Sequence, residues 1–347
     1  GRARILMKKG LFFDAEGQPW IAEYDQPRVV RYFANYFTLG SNDRDDGVAF
    51  EKNLDTPMSS SVELEAVTND KLRTRVMMAE KGVGVPTTLA FLMPGHPLMG
   101  RTGFSRNGVM VRELGALVRE KTQEFLAANA KRLGDEVVVK PSGSQWHSSR
   151  GVKFFKTSDV DGIVAHIQAL SKDGMMTPDG AVLIDERLSP PPLYFKVSEG
   201  GDRAPPSAGY SGKGLRLGGD VGLEFLSAAE AKTKAAAPAK RDWNMRLFAQ
   251  RTPWDGTVNS AVFVRAGPWG KPTVAEPGGP SASEKADPED AAVVMPFEDV
   301  ITALQKQHGL LKTPAEVAAF REDLERTARG TLQSLWENEA KLRAEGK

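Results

Sequence analysis

The feature that most constrains this chain is a strand that ends in a lysine and leads into a loop of glycine and serine. Residues 137–139 are three valines, Lys140 follows them, and residues 141–151 are rich in Gly and Ser. Residues 152–155 then return as an apolar hairpin partner. Such a loop offers an ammonium group, backbone N–H groups and hydroxyls, which together suit a polyphosphate. Because the lysine precedes the loop, the pattern is not a P-loop of the Gly-x-x-x-x-Gly-Lys type.

A second lysine, Lys71, stands where a helix is predicted to begin. The polar residues 68–70 suit a helix start, and Gly82 suits its end, so the pattern predicts a helix over 71–81. A cation in the first turn of a helix is disfavoured by the helix dipole, which favours a role for Lys71 other than helix stability. A solvent-exposed lysine is the alternative. We therefore predict that both lysines contact nucleotide phosphates.

Composition describes an ordinary globular protein and excludes several classes of function. The chain has 347 residues, 40% of them hydrophobic, and a net charge of +1 from 46 basic and 45 acidic residues. This balance predicts neither nucleic-acid nor membrane partners, and no apolar run reaches the length of a membrane span. The absence of cysteine excludes disulfides and thiolate chemistry, and the four histidines are scattered. A cytoplasmic protein is expected.

Strands and helices alternate irregularly along the chain and predict an α+β fold. Strands are predicted over 87–91, 136–140, 152–155, 181–185, 245–249 and 258–265. Helices are predicted over 71–81, 110–133 and 158–170, and a final helix begins at the capping box Thr313 to Glu316. Residues 198–240, rich in Gly, Ala, Lys and Ser, are predicted to be mobile, and the Ala/Lys run 229–240 within them to be a solvated linker.

Three segments, which follow one another in the expected order along the chain, resemble the ATP-grasp ligases, and shorter similarities come after them. The resemblance is closest to the D-alanine–D-alanine ligase and glutathione-synthetase-like branches. The similar segments are 69–75 with 82–86, 139–142 with 148–152, 182–188, 244–247, Arg265 and 278–279. The resemblance covers about residues 67–283 and rests on three motifs in the right order, which is more specific than any single motif. It implies an α+β fold of two lobes with ATP between them. The lobes would comprise residues 67–185 and 186–347, and residues 1–66 would be an entry segment or the remnant of a preceding domain.

The same resemblance implies roles for individual residues. The expected nucleotide contacts are Lys71, Lys140, Ser142, Ser148, Ser149, Gly151, Asp185, Glu186 and Leu188. Arg246 and Arg265 would grip a carboxylate, an acyl phosphate or the γ-phosphate, since guanidinium binds such groups in a bidentate manner. Two Mg²⁺ ions are implied as cofactors, but the usual late Asp and Glu-x-Asn ligands are not found. Glu276 is the candidate metal ligand. Either the chain is truncated near Lys347 or the domain lacks its metal carboxylates.

The function implied by the resemblance is ATP-dependent ligation of a carboxylate to an amine through an acyl phosphate. The substrate would be a small amino-acid-like or peptide-like molecule. Two alternatives stay open at this point. One is a non-catalytic nucleotide-binding or scaffolding module without metal ligands, and the other is a kinase on the same fold.

Overall fold

The structure is a computed structural model that describes most of the chain. The described residues are 4, 6–13, 19–29, 67–68, 70–101, 105–106, 108–115, 117–143, 151–172, 176–199, 210–216, 219–233, 240–251, 258–267 and 293–344. Of the predicted site residues, Ser148, Ser149 and Glu276 lie outside them. An antiparallel hairpin, β1 (Leu6–Phe13) and β2 (Pro19–Val29), opens the described part.

A six-stranded mixed sheet lies in the N-terminal half, and its strand order is β4-β5-β3-β8-β6-β7. The strands are β3 (Thr88–Leu92), β4 (Ser105–Arg106), β5 (Val109–Glu113), β6 (Glu136–Ser142), β7 (Lys153–Lys156) and β8 (Ala181–Glu186). Strands β3 and β5 are parallel, whereas the other pairs are antiparallel. The predicted strand–loop–strand unit is therefore the β6–β7 hairpin.

Helices cover both faces of this first sheet. They are α1 (Lys71–Glu80), α2 (Val118–Ala128), α3 (Ala130–Leu133) and α4 (Val160–Lys172). Alternate side chains of β8 enter two different cores: Val182 and Ile184 pack with α2 and α4, whereas Leu183 packs with α1. Because side chains alternate along a strand, Asp185 shares the α1 face with Leu183. Lys140 pairs with Leu183 in the register, so it belongs to the same face.

A second sheet of seven antiparallel strands, with the order β12-β9-β11-β10-β15-β14-β13, follows in the C-terminal half. The strands are β9 (Leu193–Glu199), β10 (Tyr210–Arg216), β11 (Gly219–Phe225), β12 (Lys240–Arg241), β13 (Trp243–Arg251), β14 (Val258–Ala266) and β15 (Val293–Pro296). The helices of this half are α5 (Ala228–Ala231), α6 (Phe297–Ala303), the π-helical turn Leu304–His308 and α7 (Pro314–Ala344). Its core is separate from the two cores of the first sheet.

Helix α7 contacts both halves of the molecule. It begins with the predicted capping box, in which the Thr313 N–H donates to Glu316 Oε2 at 2.9 Å and the Glu316 N–H donates to Thr313 Oγ1 at 3.2 Å. Phe320 stacks on Phe297 of α6 with ring centroids 5.9 Å apart. Farther along, a Cβ at Gly330 would lie 2.9 Å from Val83 Cγ2, just past the end of α1. The helix therefore links the core of the second sheet to α1.

Two predictions about local structure are wrong. The helix predicted over 110–133 begins only at Val118, because Val109 and Val111 are buried in β5, which pairs with β3. The described part of 198–240, predicted to be mobile, includes the strands β10 and β11, which pair with each other and with β15 and β9. Its glycines hid the strand pattern, since glycine is depleted in strands. The α+β class itself is confirmed.

Candidate nucleotide-phosphate site

The two lysines singled out in the sequence lie close enough for their charges to interact. Lys71 opens α1, which packs on the face of the first sheet that also carries Lys140. Burial lowers the pKa of Lys71, and the neighbouring charges of Lys140 and Arg75 lower it further. The electrostatic repulsion between these two half-buried ammonium groups is unfavourable, and a bound anion would reduce it.

Asp185 connects Lys140 to a third cation, Arg75. Its carboxylate is only 2% exposed, and its Oδ2 lies 2.6 Å from Lys140 Nζ. Its Oδ1 forms an ion pair with Arg75 and accepts a hydrogen bond from Thr88 Oγ1 at 2.9 Å. Arg75 also donates to Thr88 Oγ1 at 3.1 Å. The sequence resemblance implied that Asp185 contacts the nucleotide, and the structure places its carboxylate among the cations.

The cluster carries more positive than negative charge. Arg75 and Lys140 both pair with Asp185 on the α1 face, and Lys71 lies near enough to interact with these charges. Lys140 is a partly buried cation with a side chain 20% exposed. Burial lowers the pKa of Lys140, Asp185 counteracts this effect, and Arg75 adds to it. An excess of buried positive charge attracts anions strongly because screening by solvent is weak there. The arrangement is suited to hold a polyanion such as a chain of phosphates.

A second buried network lies beside the cations and begins at Asp70, the N-cap of α1. Asp70 Oδ1 accepts hydrogen bonds from the Leu72 N–H at 2.9 Å and from Ser142 Oγ at 2.9 Å. Its Oδ2 lies 3.2 Å from Nε2 of His96, whose side chain is fully buried. Burial would raise the pKa of Asp70, but His96 and the hydrogen bonds from Arg73 and Ser142 hold it below its ordinary value. The predicted contact residue Ser142 belongs to this network.

Two predicted nucleotide contacts, Glu186 and Leu188, lie at the end of β8 and just after it. The Glu186 N–H donates to the Thr87 carbonyl at 2.8 Å, and Glu186 Oε2 accepts from the Thr87 N–H at 3.0 Å. Arg132 Nε lies 3.3 Å from the same carboxylate oxygen. The side chain of Glu186 thus braces the end of β8 against β3. Leu188, two residues on, is an exposed apolar side chain, which leaves it available to a flat ligand.

Gly151 closes the predicted phosphate loop. Its φ is +72°, and a Cβ there would lie 2.7 Å from Leu170 Cδ2 and 3.2 Å from Pro141 Cδ. A glycine is therefore required both by the backbone angle and by the space. Its carbonyl accepts a hydrogen bond from His166 Nε2 at 2.9 Å, which ties this end of the loop to α4.

The two predicted arginines lie on neighbouring strands of the second sheet. Arg246 lies in β13 and Arg265 in β14, where Arg265 pairs with Asn244 in the antiparallel register. Arg246 is therefore two residues along β13 from the position opposite Arg265. Arg265 is half-buried. Their contact with a substrate group stays a prediction.

Sequence reasoning gave no role to Arg75 or His96. Arg75 stands four residues after Lys71, a spacing that puts two side chains on the same face of a helix, so a signal was present. His96 lies in a Pro- and Gly-containing loop with no periodicity, and only the tertiary structure brings it to Asp70.

The described residues contain neither a clustered metal site nor a helix that could span a membrane. Among them, no three His, Asp or Glu side chains come together as a cation site. Glu276 lies outside this part of the chain. In the same part, no helix combines the length and the apolar character that a membrane span needs.

We expect the protein to lose stability at acid pH through Asp185. Burial would raise the pKa of this carboxyl, but Arg75 and Lys140 outweigh that effect and hold it below the ordinary 3.8. A pKa lowered by folding contributes stability that is present above the unfolded pKa and is lost as pH falls through the folded one. Urea unfolding should therefore give a free energy that falls below about pH 4.

Two variants distinguish the contribution of Asp185 to acid sensitivity from acid unfolding that does not depend on this carboxyl. Asp185→Asn, which cannot titrate, should flatten the acid limb. Asp161→Asn, at a side chain 84% exposed, should leave it unchanged. Equal acid limbs in wild type and Asp185→Asn would contradict the assignment.

Known proteins similar to this chain support the resemblance predicted from the sequence. Human carnosine synthase 1 is 28% identical over 214 residues, which is 59% of this chain and 25% of that protein. Mouse carnosine synthase 1 is 25% identical over 198 residues, or 55% of this chain and 24% of that protein. The matched part thus spans about a quarter of these relatives. No family model matches the chain.

Two solved structures show weaker likeness. D-cycloserine synthetase has a TM-score of 0.30 at 19% identity, covering 46% of this chain and 44% of that one. The VanG D-Ala:D-Ser ligase from Enterococcus faecalis has a TM-score of 0.27 at 13% identity, covering 70% and 52%. Because these TM-scores are low, the likeness of the chain to known proteins rests on the sequence matches. These matches confirm the predicted resemblance of the chain to ATP-grasp ligases.

Proposed function

We propose that this chain is the ATP-binding part of a ligase that joins a carboxylate to an amine. The observation that carries the proposal is the buried cluster of Lys71, Arg75 and Lys140 around Asp185, with its excess of positive charge. The similarity to carnosine synthase supports the choice of a ligase over other proteins that bind nucleotides. The sequence segments that carry the resemblance include all three of these cations, Lys71, Arg75 and Lys140.

The proposed reaction has two steps. A carboxylate oxygen of one substrate attacks the γ-phosphorus of ATP, the bond from that phosphorus to the β-γ bridging oxygen breaks, and ADP leaves. The amine of a second substrate then attacks the carbonyl carbon of the acyl phosphate. A C–N bond forms, inorganic phosphate leaves and the amine loses a proton. Catalysis of this kind depends mainly on positioning and on charge neutralisation.

The residues of this chain would neutralise and hold the phosphates. Lys71 and Lys140 would contact the α- and β-phosphates, where compact ammonium groups suit a concentrated negative charge. The loop with Ser148, Ser149 and Gly151 would cover them and exclude water. Leu188 and the backbone at Glu186 would border the adenine.

Other parts of the assignment are proposals that rest on the sequence resemblance. Arg246 and Arg265 would bind the substrate carboxylate or the transferred phosphate. Glu276 would contribute to Mg²⁺ binding, and bound Mg²⁺ would neutralise phosphate charge. The substrates are proposed to be small and amino-acid-like or peptide-like. Lobe boundaries at residues 67, 185 and 186 and a cytoplasmic location are also proposed.

Calorimetric titration with a non-hydrolysable ATP analogue, with and without Mg²⁺, tests the proposal. We expect saturable binding that Mg²⁺ strengthens, followed by ADP release when pairs of amino acids are supplied with ATP. Binding that is indifferent to Mg²⁺ would favour the non-catalytic module. Phosphate transfer without amide formation would favour a kinase, and failure to bind the analogue would overturn the proposal.

A further inference from the structure

We infer that Asp70 and Ser142 are positioning residues that hold Lys71 and Lys140 together, and that Ser142 does not itself bind phosphate. This inference rests on the proposed function, in which both lysines contact the nucleotide. It assigns to Ser142 a role different from the direct contact expected from its place in the phosphate-loop motif.

Asp70 and Ser142 lie close to the two lysines in the sequence. Asp70 directly precedes Lys71 and caps α1, and Ser142 lies two residues after Lys140 in β6. Residues two apart on a strand share a face of the sheet, so Ser142 and Lys140 both face α1. A bond between Asp70 and Ser142 therefore links the backbone segments that carry the two lysines.

The bond between Asp70 and Ser142 is buried. Ser142 Oγ donates to Asp70 Oδ1 at 2.9 Å and accepts from the Leu72 N–H at 3.1 Å. Ser142 is 1% exposed and Asp70 is 4% exposed. The same Oδ1 accepts from the Leu72 N–H, so the hydroxyl and the carboxylate together hold the first turn of α1. Buried hydrogen bonds of the Ser142 hydroxyl and the Asp70 carboxylate thus join the start of α1 to the end of β6.

This bond excludes a phosphate contact for Ser142. A hydroxyl has a single proton to donate, and in Ser142 that proton goes to Asp70. A phosphate oxygen needs donors and would gain nothing from the acceptor lone pairs of this oxygen. Breaking the bond to Asp70 would leave a buried carboxylate with fewer donors, which is costly. The hydroxyl is therefore committed to Asp70.

A contact with His96 also fixes the position of the Asp70 carboxylate. His96 Nδ1 accepts a hydrogen bond from the Leu98 N–H at 3.0 Å, so the ring proton is assigned to Nε2. That nitrogen lies 3.2 Å from Asp70 Oδ2. Both carboxylate oxygens are thus engaged, one by α1 and β6 and the other by the loop after β3. These contacts fix the position of Asp70, and with it the start of α1 at Lys71.

The test asks whether the effect of Ser142 passes through Lys71. In the otherwise unchanged chain, Ser142→Ala should raise the Kd for the ATP analogue about fivefold, equivalent to about 1 kcal/mol, because Lys71 is no longer held beside Lys140. In a Lys71→Ala background the same change should raise the Kd less than about twofold, because residues in one network are not additive. Calorimetry on the four proteins of this cycle measures both effects.

Controls separate positioning from loss of stability. Ser334→Ala removes another fully buried serine hydroxyl, in α7, and should leave the Kd unchanged. Thermal unfolding of each variant checks that it is folded at the titration temperature. If Ser142→Ala does not fold, Ser142→Cys takes its place in the cycle, because the thiol is a weaker donor of similar shape.

The outcomes distinguish this inference from the proposed function. An unchanged Kd in both Lys140→Ala and Lys71→Ala would overturn the proposed function itself. A weakened Kd in Lys140→Ala, with no effect of Ser142→Ala, would overturn the positioning role alone. An equal effect of Ser142→Ala with and without Lys71 would do the same, since it would indicate a direct contact or a general loss of structure.

Discussion

Replacing Asp185 with alanine should lower the free energy of unfolding by about 3–5 kcal/mol, the usual result of removing one partner from a buried ion pair. The carboxylate is the shared partner of Lys140 and Arg75, and Thr88 also donates to it. Its removal leaves Lys140 and Arg75 poorly solvated and without their shared carboxylate, near a third cation, Lys71. Urea unfolding at neutral pH measures the change.

Two variants show whether the loss comes from uncompensated charge. Asp161→Ala removes an exposed carboxylate, 84% accessible, and should change stability by less than about 0.5 kcal/mol. In a Lys140→Met background, Asp185→Ala should cost less than in the wild type, because one of the stranded cations is already gone. A cost below about 1 kcal/mol for Asp185→Ala in the wild type would show that the cluster is not held by this carboxylate.

Lys140→Ala should weaken binding of the ATP analogue at least tenfold, which corresponds to about 1.4 kcal/mol. The ammonium is partly buried, and an ion there is screened less than one at the surface. Asp185 keeps Arg75 as a partner in this variant, so the protein should remain folded. Lys71→Ala should weaken binding in the same direction but less strongly. Calorimetric titration of the three proteins measures the effect.

The matched control for Lys140 is methionine. Lys140→Met keeps an apolar stem of similar length and should bind the nucleotide as poorly as Lys140→Ala, if the charge is what matters. Recovery of affinity in Lys140→Met would point to lost packing instead. An affinity equal to that of the wild type in both Lys140→Ala and Lys71→Ala would remove the basis for a phosphate site here.

Local pattern was enough to predict several parts of this molecule. The valines before Lys140 are a strand, and the residues after it lead to a hairpin partner, because both features depend on neighbours in the sequence. The start of α1 at Lys71 and the capping box at Thr313 follow from hydrogen bonds within one turn of a helix. The resemblance to ATP-grasp ligases rests on the same local segments.

Contacts between these segments are determined only by the tertiary structure. Residues 110–113 are a strand because β3 lies beside them to complete their hydrogen bonds, and no local pattern contains that neighbour. Asp185 follows an apolar strand in the sequence, yet folding surrounds its carboxylate with Lys140 and Arg75. The sequence by itself determined the β6–β7 hairpin, the start of α1 and the capping box of α7, and it showed which cations are available. Only the packing of α1 on the sheet determined that these cations share one carboxylate, because ion pairs depend on distances between residues far apart in the chain.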